Sequence, residues 1–436
     1  MRNYVKPLFH SKFVRNVAVV ASGTAGAQAI TVAFSPIITR LYGPEAFGVL
    51  GTFTAMLAVV TPLAALSYPI AIVLPKQDGD AIGLVKLSLG IALVTSLLTT
   101  LMLLVFRDPI VSVFNLQDVG SFMLLLPLAM LSAACMAIAS QWVIRKKLFK
   151  LKAKVSVLQA LWINGAKAGI GLVTPVAAVL VILATLGSAL HALMLYKGIR
   201  TKRADRFVDD QAVPLESPAS YKALALRHRD FPYYRAPQVF LNAVSQSLPV
   251  LMLASFFGPA VAGFYSLGKM VLGVPSTLIG QSVASVFYPR INEAAHAGEN
   301  TQRLILKATL ALAAVGIVPY GVIVAFGPWL FSFVFGDEWK IAGVYAQWLA
   351  LWSYFGFMNR PSVGAIPVLA LQGFFLFYEI ANVVLRALGL FLGFFIFESA
   401  LMAIVMFSIV SVILNALLIF STLIAAKKHD GSKEES

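Results

Sequence analysis

Gly43-Pro44-Glu45-Ala46-Phe47-Gly48 has a looser second copy in Gly258-Pro259-Ala260-Val261-Ala262-Gly263. The copies stand 215 residues apart (258 minus 43), about half of the 436-residue chain. Each lies between two apolar stretches of membrane-spanning length. The flanks agree too. Ser35-Pro36-Ile37 and Leu248-Pro249-Val250 precede the copies, and Leu74-Pro75-Lys76 and Tyr288-Pro289-Arg290 follow at nearly equal spacing. Proline cannot continue the first helix, and glycine lets the backbone turn tightly, so each copy reads as a turn between two helices. The matched register of the two turns predicts one bundle of spans duplicated head to tail.

Composition places those helices in a membrane. Hydrophobic residues make up 59% of the chain and charged residues 12%, and mean hydropathy is +0.85. A soluble domain carries about 25% charge. The net charge of +15 raises the question of nucleic acid, but the placement of the charges answers it in favour of a membrane. Cys135 is the single cysteine, so neither an intrachain disulfide nor a cysteine-based metal site is expected, and the five histidines show no ligand spacing. The basic N-terminus leads into an apolar run from about Val14 to Ile38. That run is too long for a signal-peptide core of about 7–15 residues and reads as a retained first span.

Roughly 20 apolar residues cross the hydrocarbon core. On that rule twelve spans are expected, near 14–38, 46–73, 81–106, 119–144, 155–173, 175–196, 237–257, 260–287, 304–335, 342–370, 373–397 and 400–426. With the N-terminus inside, 27 of the 34 lysines and arginines fall on the inner side and three (Arg40, Arg107 and Lys340) on the outer side. This asymmetry predicts N-in, C-in topology. The expected organisation is an N-lobe over 1–196, a cytoplasmic linker over 197–236, a C-lobe over 237–426 and a short disordered tail over 427–436. The basic run Arg145–Lys154 is expected to anchor the chain against anionic lipid.

Charges at membrane depth cost about 2.5–3.5 kcal/mol each on insertion scales, which makes them functional candidates. They are Lys167, Lys269, Arg360 and Arg386, against one clear acid, Glu379. Each basic group either snorkels to a headgroup or faces a wet cavity. Glu379 and Arg386, seven residues apart, share a helix face. They either compensate each other or supply ion coupling, with Glu379 as the coupling carboxylate. Two uncharged polar stripes accompany these charges: Thr24, Gln28, Thr31 and Ser35 in the first span, and Gln238, Asn242 and Gln246 in the seventh. The stripes belong to partner spans of the repeat. They either hydrogen-bond between helices or face each other across a cavity. No Walker A motif, Ser/His/Asp pattern or metal cluster is present in the sequence. An enzyme and an ATP-coupled pump are therefore not expected, and two equivalent halves suit alternating access better than a channel.

Several segments together resemble the polysaccharide transporter family, the lipid-linked oligosaccharide (O-antigen-type) flippases of the multidrug/oligosaccharidyl-lipid/polysaccharide exporter superfamily. They are Ser35 to Gly48, Phe231-Pro232-Tyr233 leading to Leu248-Pro249, Phe256 to Tyr265, and Val274-Pro275 with Phe287-Tyr288-Pro289-Arg290. The resemblance implies an all-α membrane protein with two pseudo-symmetric six-helix lobes in a V. It implies transfer of an undecaprenyl-diphosphate-linked oligosaccharide, an O-antigen or exopolysaccharide unit, from the cytoplasmic to the outer leaflet of a bacterial inner membrane. Such a protein works in membrane lipid, needs no cofactor or nucleic acid, is expected as a monomer, and has glycan polymerase and chain-length proteins as partners. On this reading Lys269, Arg360 and Lys167 attract the diphosphate. Gln28, Asn242 and Gln246 bind sugar hydroxyls, and Arg235 and Arg290 at the inner mouth make first contact. Two rivals stand beside it: a multidrug cation antiporter of the same superfamily, which needs an acidic cavity, and a membrane glycan polymerase or ligase, which needs a large basic outer loop.

Overall fold

Two turns, at Gly43 and Gly258, organise the helices. The computed structural model describes residues 12–206 and 220–434, and no strand occurs among them. The chain forms two compact units, residues 1–247 and 248–436. The first holds α1 (Lys12–Ala64), α2 (Tyr68–Ala71), α3 (Asp78–Val113), α4 (Gln117–Gly120), α5 (Leu126–Arg145), α6 (Phe149–Gly171), α7 (Ala177–Arg206) and α8 (Tyr221–Arg227). A π-helical turn over Phe231–Arg235 leads into α9 (Ala236–Phe257), which runs across the division between the units. The second unit continues with α10 (Pro259–His296), α11 (Thr301–Phe335), α12 (Lys340–Met358), α13 (Arg360–Ala365), α14 (Gln372–Phe397) and α15 (Ala400–Glu434).

Gly43 has φ 68° and ψ 174°, and Gly258 has φ 84° and ψ 176°. These values lie in a region that is essentially closed to residues with a Cβ. The repeat read from sequence is thus a repeat of backbone geometry. At Gly43 the 53-residue α1 bends, and at Gly258 the chain breaks between α9 and α10, with proline next in both.

Among the described residues, eight helices are long and apolar enough to cross a membrane, and one of them, 46 residues long, contains the Gly43 bend. Helices α6, α10 and α12 lie outside that set. Helix α6 carries Lys150, Lys152, Lys154, Gln159, Asn164 and Lys167, which dilute its apolar character. The span expected over 342–370 is not one rod: α12 stops at Met358, and the six-residue α13 follows.

Inside the first unit, α1 packs on α6, α5 on α7, and α3 on α5. Small residues set the close approach: Ala64, Ala65, Ala92 and Ala134 form one buried cluster around Met130. A second cluster joins Tyr68, Ala71, Ile72, Leu84 and Ile138 to Leu224 of α8. Residues 207–219 of the expected linker, including Asp209, Asp210 and Glu216, lie outside the described residues. Its end is docked: Leu224 is fully buried, and Tyr68 donates to the Ala225 carbonyl at 3.2 Å. Within the basic run expected at the lipid surface, Arg145 and Lys146 instead bond protein. Both pair with Asp78, and Arg145 also donates to the Pro75 carbonyl at 2.6 Å.

Inside the second unit, α11 packs on α12 and α14 on α15. Gly327 meets the backbone of Gly343, and Gly393 meets that of Ala403. The tail expected to be disordered continues α15 to Glu434. The reason is a cap: Asp430 accepts from Thr301 Oγ1 at 2.7 Å and from the Gln302 amide at 3.0 Å, satisfying the free N–H end of α11.

Candidate functional site

A polar cleft of about 400 Å³ opens within the first unit, between α1, α6 and α7. Helical spacing builds it. Thr24, Gln28 and Thr31 share one face of α1, and Ser156, Ile163 and Lys167 share one face of α6 with Gln159 beside them. Helix α7 adds Ala184, Gly187, Ser188 and His191. The α1–α6 pair is pinned on either side of the cleft. Gly23 lies against Ala153 at one end. At the other, Gly171 lies against the Tyr42 ring, whose hydroxyl donates to the Lys167 carbonyl at 2.8 Å. Between these contacts Asn164 donates to Thr31 Oγ1 at 3.3 Å and to the Ala160 carbonyl at 2.8 Å, and Gln159 donates to the Gly187 carbonyl at 3.4 Å.

Within the polar stripe of α1, Thr31 bonds a neighbouring helix, while Gln28 lines a cleft inside the first unit to which the stripe of the seventh span does not contribute. Lys167 and His191 supply basic side chains to the lining, which includes no carboxylate among the described residues. A low-dielectric cleft with the Lys167 ammonium, several amides and no acid among its described lining residues favours ligands that are anionic or rich in hydroxyls.

The second unit carries the other interior charges. Arg386 is 6% exposed, and its guanidinium lies 5.4 Å from the Trp352 ring centroid and 5.6 Å from that of Phe407. Its Nε has no hydrogen-bond partner among the described residues. Cation–π attraction contributes about 2 kcal/mol when desolvated, whereas burying a charge costs several, so the rings alone do not balance it. Arg386 interacts electrostatically with Lys269 and Tyr265 of α10 and with Tyr378 and Glu379 of its own helix. Among the described ion pairs none joins Glu379 to Arg386. Arg360 opens α13 directly after Asn359, whose amide donates to Asn415 at 2.9 Å, and is coupled electrostatically to Tyr320.

Gln28 and Lys167 are thus brought together in one cleft, while Lys269 and Glu379 each lie within electrostatic range of Arg386. The remaining expected residues lie elsewhere. Arg235 is exposed and donates to Gln238 at 2.8 Å, and Arg290 is ion-paired with Glu299 at 2.5 Å. Asn242 and Gln246 are exposed on α9. Sequence reasoning missed Ser156, Asn164 and His191 of the cleft, and Asn382 and Tyr265 beside Arg386. The spacing of Ser156 and Lys167 signals one face, as does that of Asn382 and Arg386. His191 is isolated in sequence and gives no such signal.

A family model described as "Polysaccharide biosynthesis protein" matches residues 37–343. No curated protein sequence matches significantly. Among solved structures, an inward-facing multidrug resistance MATE transporter of the MOP superfamily superposes with a TM-score of 0.67 at 12% identity, over 92% of this chain and 96% of that one. The lipid II flippase MurJ, in an inward closed conformation, gives 0.66 at 13% identity, over 93% and 87%. A MATE structure in a bent conformation gives 0.57 at 13% identity, over 96% of each chain. The chain has the fold of these transporters and of this flippase.

Proposed function

The chain belongs to the polysaccharide biosynthesis protein family, and on that footing we propose that it is a flippase for a lipid-linked oligosaccharide. The substrate class is an undecaprenyl-diphosphate-linked repeat unit of O-antigen or exopolysaccharide type. It moves from the cytoplasmic to the outer leaflet of a bacterial inner membrane by alternating access of two six-span lobes, with both termini inside. The observation that carries this reading is the cleft of the first unit, which pairs Lys167 and His191 with Gln28, Gln159 and Asn164 and has no carboxylate in its lining. A diphosphate is drawn to the Lys167 ammonium, His191 and the amides offer hydrogen bonds, and sugar hydroxyls exchange water for the amides. A MurJ that carries lipid II on the same fold supports the substrate class.

In this reading Lys269 and Arg360 add positive potential from the second unit, and Glu379 is the coupling carboxylate for a driving ion. Arg235 and Arg290, both near predicted inner span ends, meet the substrate first, while Asn242 and Gln246 extend the hydroxyl-binding surface. The multidrug-antiporter reading calls for acidic groups where this chain has basic ones.

The test is translocation of a fluorescent lipid-diphosphate-oligosaccharide in proteoliposomes under an imposed proton gradient. Lys167→Ala and Gln28→Ala are expected to slow translocation at least tenfold while remaining folded and inserted. Wild-type rates in both variants would remove the cleft from the mechanism. Uptake of organic cations with no lipid movement by the wild type would replace the flippase reading with the antiporter.

A further inference from the structure

The two copies of the turn differ in the residue before the glycine, and the difference falls at the cleft. Tyr42 precedes Gly43 and Phe257 precedes Gly258, at the same offset of 215 residues (257 minus 42). Phe257 packs edge-on against Phe394 of α14, with ring centroids 5.3 Å apart. In a six-span repeat α14 is the counterpart of α6. Tyr42 likewise packs on α6: a Cβ at Gly171, the last residue of that helix, would stand 2.6 Å from the Tyr42 ring and 2.9 Å from its hydroxyl. A ring before the glycine thus serves both turns, and the second does without a hydroxyl.

The Tyr42 hydroxyl donates across to the Lys167 carbonyl at 2.8 Å. A helix carbonyl has a second lone pair for such a donor beside its intrahelical bond. Tyr42 is buried, so water does not compete for this bond. Lys167 in turn lines the cleft with Gln28, Gln159 and His191. Helix α6 ends at Gly171, one turn past Lys167, and helix ends fray unless they are held. Asn164 ties the same two helices to Thr31 at 3.3 Å, but three residues before Lys167 and further from the helix end. On the other side of the tie stands Gly43, whose φ of 68° sets the bend of α1. One hydrogen bond therefore joins the bend of α1 to the turn that carries the cleft lysine.

We propose that Tyr42 is a positioning residue of the cleft. Its hydroxyl holds the last turn of α6 and so sets the depth and direction of the Lys167 ammonium toward the substrate diphosphate. Phe257 needs no hydroxyl at the second turn, where no such lysine follows. The effect on transport rests on the flippase reading, whereas the effect on α6 does not.

Two measurements on the full-length protein test this. In proteoliposomes, KM and maximal rate for a fluorescent lipid-diphosphate-oligosaccharide are compared among the wild type, Tyr42→Phe, Lys167→Ala and the double variant. Tyr42→Phe gives the first turn the ring that the second already has. It is expected to raise KM about three- to tenfold, the worth of one hydrogen bond. In the Lys167→Ala background it is expected to add nothing, because a positioning residue acts only through the group it positions. A side chain that merely supports the fold would change both backgrounds by the same factor. Gly171→Ala, whose Cβ displaces the Tyr42 ring, is expected to act in the same direction, and it carries the comparison if Tyr42→Phe does not fold. The second measurement is the electron paramagnetic resonance spectrum of a nitroxide on Lys167→Cys, with Cys135 replaced. Adding Tyr42→Phe is expected to make that spectrum more mobile, and to leave a nitroxide on Ser156→Cys, about three turns earlier on α6, unchanged. Equal factors in both backgrounds would overturn the proposal, as would an unchanged spectrum at position 167. If the wild type moves no lipid, the flippase reading falls, and the spectra alone judge whether Tyr42 holds the turn of Lys167.

Discussion

Gly43 shows how much one residue decides. Its φ of 68° with ψ of 174° lets α1 bend and lets Pro44 begin the second half. A Cβ there is strained whatever space surrounds it, so Gly43→Ala is expected to cost about 1–3 kcal/mol, read as a lower unfolding midpoint of the purified protein. Gly258→Ala should cost a similar amount, since nothing crowds that position and only the backbone objects. Tyr42, one residue earlier, contributes through its hydroxyl, and Tyr42→Phe is expected to lose about 1 kcal/mol by removing the bond to the Lys167 carbonyl. Lys167 should behave in the opposite way. No described acid pairs with it, so Lys167→Met removes a poorly solvated charge. The midpoint is expected to hold or rise while translocation falls, the pattern of a group kept for function rather than stability. Equal losses of midpoint and transport would mark Lys167 as structural. The glycine turns and the interior cations were legible in the sequence, because each violates what a lipid-facing helix prefers. His191 was not, because one histidine carries no periodicity.

At the scale of elements, the docking of α8 weighs a charge pair against an apolar contact. Arg227 reaches Asp80 at 2.9 Å, but its side chain is 58% exposed, so the pair contributes at most about 1 kcal/mol. Leu224 is fully buried among Tyr68, Ile72 and Leu84, and Leu224→Ala is expected to cost about 2–5 kcal/mol of docking. Limited proteolysis next to α8 should therefore accelerate strongly for Leu224→Ala and little for Arg227→Ala. The reverse order would mean that the ion pair holds the helix. The C-terminal end of α15 is a similar case. Composition alone reads 427–436 as a solvated charged tail. Asp430 overrules composition by capping α11, a long-range partner that no local pattern announces.

For the whole molecule, family membership places the chain among polysaccharide biosynthesis proteins, and its fold is similar to that of MATE transporters and of the flippase MurJ. The basic residues predict how it lies in the membrane. In a background with Cys135 replaced, Lys150→Cys, Lys222→Cys and Lys427→Cys are expected to react with an impermeant maleimide only after the membrane is opened. Arg107→Cys and Lys340→Cys should react in intact cells. Labelling of Lys150→Cys from outside would break the twelve-span, N-in arrangement.

The sequence by itself determined that the chain is helical and lives in a membrane, because apolar length and charge asymmetry are properties of single segments. It determined the twin turns too, because glycine followed by proline restricts backbone geometry locally. Tertiary structure alone decided which polar residues meet. Gln28 and His191 are 163 positions apart, and only the packing of α1, α6 and α7 brings them to one cleft. Arg386 reaches the rings of Trp352 and Phe407 only because α12, α14 and α15 fold into one unit. Whether a buried charge finds a partner depends on neighbours distant in the chain, and a linear pattern does not contain them.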